Sequence, residues 1–135
     1  MLLLLESMTL SSAWPDPISF FNGWMGCGGL NAHNCLDDSN LDWGQDLARI
    51  ADTLEPLRGP DEEVRLLYFG TAFPGAYLTQ WKSMQEDELL RPAPALYVVS
   101  LHRLHRLNET LGKPNGMDWF ERFKPIASVG NTYLI

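Results

Sequence analysis

Leu47, Ile50, Ala51 and Leu54 recur at spacings of three and four, with Arg49, Asp52 and Glu55 between them. That pattern predicts an amphipathic helix with one apolar stripe turned to a core. Pro56 should end it at about Glu55. Upstream, Asp42 with Gln45 three residues on reads as a capping box, after the turn residues Asp38-Ser39-Asn40. Cys35-Leu36 reads as a short strand before that turn. Val64 to Phe69 is a near-continuous apolar run of strand length, the pattern of a strand covered on both faces and usually parallel to its neighbours. Together these segments predict a βαβ unit. Ala95 to Leu101 reads as a second buried strand, and Leu101, Leu104, Leu107 and Leu111 as a helical turn or two ending at Gly112. Met117 to Phe123 reads as a short amphipathic helix with Trp119, Phe120 and Phe123 on its inner face. Ile126 to Ile135 is strand-like with a Gly130-Asn131 turn. Gly70 to Gly75 is a loop, and Tyr77 to Arg91 is polar and irregular. The predicted architecture is a small single-domain α/β fold, with a mixed sheet, a βαβ unit and flanking helices over residues 35–135. Residues 1–34 carry Trp14, Pro15, Pro17, Phe20, Phe21 and Trp24 without a lasting period. They read as an extended or briefly helical arm whose aromatics dock on the main body.

Composition sets bounds on that picture. A chain of 135 residues, 45% apolar, should expose roughly 22,000 Å² unfolded and about 7,000 Å² folded. A core can form without disulfides or metals. The net charge is −7, which argues against binding nucleic acid through phosphate contacts or settling on an anionic membrane surface. The charge is uneven. Residues 1–64 hold eleven acidic residues against Arg49 and Arg58, a net of −9, whereas residues 65–135 hold a net of +2. The densest acidic stretch runs from Asp37 to Asp46, which marks it as the place to look for chemistry.

Two cysteines, Cys27 and Cys35, lie in a Gly- and Asn-rich loop. They are too few for a disulfide framework and fit no zinc ribbon, which leaves one loop-closing disulfide or two free thiols. Met1 to Leu5 is apolar but stops at Glu6, without the basic segment or cleavage site of a signal peptide. Read literally, the chain is soluble and untargeted. Read as a fragment, it begins where a membrane helix ends.

In the stretch Asp37 to Asp46, oxygen-bearing side chains fall at positions one, three, five and nine counted from Asp38: Asp38, Asn40, Asp42 and Asp46. Calcium loops place hard ligands in that way. Glycine falls at position seven instead of six, and position twelve is Arg49 instead of a bidentate Glu, so an EF-hand is excluded. A looser Ca2+ site through Asp38, Asn40 and Asp42 is one expectation. A structural reading has Asp38 and Asn40 shaping the turn while Asp42 and Asp46 face the positive end of the helix dipole. A third reading places a ligand at this strand-to-helix turn, beside the carboxyl ends of the strands. There the carboxylates and amides would hydrogen-bond a sugar stacked on Trp43. The histidines add less. His102 and His105 are three apart with no carboxylate or cysteine to complete a metal set, and are expected on a solvent-facing helix surface. His33 with Cys35 lacks an orienting third group. No phosphate-binding glycine motif, nucleophile elbow or HExxH occurs.

The run Asp38-Ser39-Asn40-Leu41-Asp42-Trp43-Gly44-Gln45-Asp46-Leu47 is followed after the helix by Tyr68-Phe69-Gly70-Thr71-Ala72 and Pro74. Together they resemble the C-terminal soluble segment of bacterial multi-spanning glycosyltransferases related to dolichyl-phosphate-mannose protein mannosyltransferases. Pro17 to Gly23 and Pro125 to Ile135 are similar to the flanking pieces of that segment. The resemblance implies an extracytoplasmic, periplasmic position beside a membrane-embedded transferase that uses a polyprenyl-phosphate sugar. It also implies that the chain alone is non-catalytic, binding acceptor glycan or lipid-linked sugar or bracing the membrane part. On that reading the ligand-binding set is Asp38, Asn40, Asp42, Trp43, Gln45, Asp46, Tyr68 and Thr71. The alternative is a freestanding, metal-dependent sugar-binding protein or enzyme using the acidic turn 37–46.

Overall fold

The structure, a computed structural model, describes residues 11, 14–17, 42–111, 119 and 122–135. The predicted strand at Cys35-Leu36, both cysteines, Asp38 and Asn40, and most of the segment from Met117 to Phe123 lie outside them. In chain order the elements are α1 (Leu47–Leu54), β1 (Val64–Leu67), β2 (Trp81–Ser83), β3 (Leu96–Ser100), α2 (Leu101–Leu111), β4 (Ser128–Val129) and β5 (Tyr133–Leu134). Single 3-10 turns at Pro74–Ala76 and Glu86–Leu89 lie on the two crossovers.

The five strands form one mixed sheet in the order β2-β1-β3-β5-β4. β1 runs parallel to both β2 and β3, pairing Val64 with Trp81 and with Leu96. β5 returns antiparallel to β3, setting Ser100 opposite Tyr133, and β4 pairs antiparallel with β5. This is the small α/β domain that the hydrophobic pattern predicts. Gly130, at φ +55°, makes the β4–β5 turn that the Gly130-Asn131 pair announced.

Alternation along the strands gives two cores. Leu66, Val98 and Tyr133 point to the side where Leu47, Ile50 and Leu54 of α1 pack. Leu67 and Val99 point to the other side, against Leu104 and Leu107 of α2 and the ring of Trp119. Each fully buried aliphatic side chain contributes about 1.5–3 kcal/mol of transfer free energy. The three inward residues of α1 are therefore enough to fix that helix on the sheet.

Three local expectations are corrected. The helix does not begin at Asp42: its N-cap is Asp46, whose side chain makes no capping hydrogen bond. Asp42 is instead drawn into tertiary bonds, described below. The segment from Tyr77 to Arg91 holds a strand, β2, which the sequence hides because it is three residues long and half exposed. His102 is buried, not solvent-facing; its ring lies 4.4 Å from that of Phe69. The arm is fastened through Asp16, which pairs with Arg49 of α1, whereas Trp14 is exposed.

Candidate functional site at the carboxyl ends of the parallel strands

The sheet changes direction of winding at β1. The connection from β1 leads to β2 on one side, and the connection from β2 leads to β3 on the other. Open α/β sheets bind ligands outside the carboxyl ends of such strands. The residues gathered at that end are Asp42 to Asp46 before α1, Tyr68 to Thr71 after β1, Ser100 at the end of β3, and Thr132 and Tyr133 at β5.

Asp42 is completely buried. One carboxylate oxygen accepts the Gly44 N–H at 2.8 Å, closing an Asx turn, and the other accepts the Ser100 hydroxyl at 2.7 Å. The Tyr133 hydroxyl is a further hydrogen-bonding neighbour and also donates to the Phe69 carbonyl at 3.1 Å. The strand register explains the convergence, since Ser100 and Tyr133 are paired and both face α1. Burial pushes the Asp42 carboxyl above its ordinary range, against the lowering effect of its hydrogen bonds. Burial likewise raises the Tyr68 and Tyr133 phenols.

Asp46 is 2% exposed. It accepts from the Thr132 hydroxyl at 2.5 Å and from Arg49 at 2.7 Å. Gly130 closes over this cluster, and a Cβ there would stand 2.8 Å from an Asp46 carboxylate oxygen. Both carboxylates of the acidic run that the structure describes are thus engaged inside the protein, joining the start of α1 to the end of the sheet.

Tyr68 fills the remaining space. Its hydroxyl lies against Gly44 and Gly70, both with positive φ, where any Cβ would collide with it. That hydroxyl is buried, with the Ala72 backbone as its hydrogen-bonding neighbour. Trp43 and Gln45 turn outward and are exposed, with Gln45 accepting the Trp43 N–H at 2.7 Å. Thr71 is exposed on the loop after β1. Of the predicted set, Asp42 and Asp46 are buried and Tyr68 is half-buried, whereas Trp43, Gln45 and Thr71 are exposed. Among the described residues no group of three His, Cys, Asp or Glu side chains converges as metal ligands would.

The sequence reading missed several contributors. Ser100 is the one polar residue closing an apolar strand, and its pairing with Asp42 spans 58 positions. Tyr133 opens β5 and Thr132 is in the turn just before it, 86 positions from Asp46. Phe73 and Tyr77, on the connection from β1 to β2, are 70% and 51% exposed and Trp43 is 55% exposed; the Phe73 ring meets Trp81 edge-on at 6.3 Å. Large aromatics left in water are the available signal for a contact surface, because such side chains are ordinarily buried for most of their area. Among the described residues no helix is long and apolar enough to cross a membrane. No family model, curated protein or solved structure matches this chain.

Proposed function

We propose that the chain is a non-catalytic carbohydrate-binding α/β domain that accompanies a lipid-linked-sugar glycosyltransferase on the extracytoplasmic face of a membrane. The observation that carries the reading is the exposure of three aromatic side chains, Trp43 before α1 and Phe73 and Tyr77 on the connection that follows β1. Aromatic faces take the apolar C–H surface of a sugar ring, and nearby amide and hydroxyl groups, here Gln45 and Thr71, take its hydroxyls. Asp42 and Asp46 serve on this reading as buried groups that fix the acidic turn, not as direct ligands. The partner that the sequence resemblance implies, a membrane-embedded transferase segment, would supply the chemistry.

The test is a calorimetric titration of the full chain with soluble oligosaccharides. Saturable binding should weaken at least about tenfold, about 1.4 kcal/mol, in Trp43→Ala and in Tyr77→Ala. Absence of saturable binding to any sugar, or wild-type affinity in both variants, refutes the proposal.

A further inference from the structure

Apart from the acidic turn and the exposed aromatics, a concavity lies at the amino end of β3, on the α2 side of the sheet. It encloses about 450 Å³, within the range of small-molecule sites. Its walls include Pro94, Tyr97, Trp119, Phe123, Ile126 and Ile135. Ring contacts hold the wall together: Tyr97 meets Trp119 edge-on at 5.1 Å, and Trp119 meets Phe123 at 5.0 Å. The polar atoms of those rings are already engaged, Trp119 donating to the Leu89 carbonyl at 2.6 Å and Tyr97 to the Ala93 carbonyl at 3.1 Å. The wall therefore offers water almost nothing, and a concavity of this kind favours an apolar occupant.

Lys124 lines the concavity and has no ion-pair partner among the described residues. Arg122 stands 5.3 Å over the outer Phe123 ring and donates to the Leu90 carbonyl at 3.5 Å. Among the described residues no acidic side chain is in the lining. Glu88, hydrogen-bonded by Tyr97, is turned to the Gln85 amide at 2.7 Å and to Arg65 at 3.4 Å. In a protein of net charge −7, a dry slot lined by the Lys124 ammonium, which has no ion-pair partner among the described residues, complements one chemistry, an apolar body ending in an anion. We infer that this concavity binds a single-chain aliphatic carboxylate, its hydrocarbon against Trp119, Phe123 and Ile126 and its carboxylate on Lys124. The site is separate from the exposed aromatics and does not depend on the carbohydrate reading.

The experiment titrates the full chain, monitored by intrinsic tryptophan fluorescence and calorimetry, with decanoate below its micellar concentration, with decanol, and with anionic phospholipid vesicles. Saturable decanoate binding is expected, about tenfold tighter than decanol and about tenfold weaker in Lys124→Glu, with a greater loss in Ile126→Asp. Lys124 and Ile126 are exposed, so both variants should keep the wild-type circular dichroism and unfolding midpoint. Trp43→Ala should bind decanoate as wild type does. Equal affinity for decanol, an unchanged affinity in Lys124→Glu, or binding to vesicles in place of monomeric decanoate overturns the inference.

Discussion

The two faces of the sheet solve the same packing problem by different means. On the α1 face the contact between helix and sheet is riveted by buried polar groups, with Asp42, Asp46, Ser100 and Thr132 all at most 2% exposed. On the α2 face the contact is made by Leu104, Leu107 and the ring of Trp119, with an open slot beside them. Buried carboxylates tolerate little displacement, because each lost hydrogen bond leaves a desolvated group behind. Apolar contacts lose only area when they shift. The first face should therefore be rigid and intolerant of substitution, and the second more forgiving and able to admit a guest.

The sharpest way to break this contrast is Asp42→Ala, which removes the acceptor for Gly44 and Ser100 at once. It should cost about 4 kcal/mol in urea unfolding, and a loss under about 1 kcal/mol would show that the rivet is idle. Next comes a matched pair of truncations. Ile50→Ala on the α1 face should cost about 3 kcal/mol and Leu104→Ala beside the slot about 2 kcal/mol, since the second site already borders open space. The reverse order would erase the distinction between the faces. Gly130→Ala should follow at about 1.5 kcal/mol, from its positive φ and its closeness to Asp46.

A smaller effect lies in pH. Because burial raises the Asp42 carboxyl in the folded state, the folded chain holds that proton more tightly than the unfolded chain does. Its contribution to stability is complete below the ordinary carboxylate value of 3.8. It declines as pH rises from there toward the raised value, then levels off. Glu63, lowered first by its hydrogen bond with Lys82, works in the opposite sense and loses its contribution as pH falls. Subtracting the unfolding profile of Asp42→Asn from that of the wild type isolates the Asp42 decline, and a flat difference would contradict it. The smallest change is expected from Trp43→Ala, under about 0.5 kcal/mol in urea unfolding, because that side chain is 55% exposed.

What could be read from the sequence follows the same division. Elements built on apolar period were legible: α1, β1, β3 and α2 emerge within a few residues of their predicted bounds, because burial of Leu47, Ile50, Val64 and Leu104 is what forms them. Features that depend on distant partners were not. Asp42 looks like a helix cap when only its neighbours are considered, and becomes an internal acceptor only once Ser100 is brought beside it. His102 looks solvated until Phe69 is placed against it. The acidic run stands out in the sequence by its charge, but the engagement of Asp42 and Asp46 by hydroxyls 58 and 86 positions away carries no local signal. The slot beside Trp119 is assembled from three separate segments, none of which announces a cavity alone.

The register that sets Ser100 against Tyr133 also orders events in time. During synthesis the acidic turn and α1 emerge long before β5, yet the partners of Asp42 and Asp46 include Tyr133 and Thr132. Contacts so far apart in sequence form late. Until the last strand docks, the nascent α1 face holds two carboxylates that cannot be buried without loss, so it stays hydrated and open. Closure waits for a partner that emerges 86 positions after Asp46.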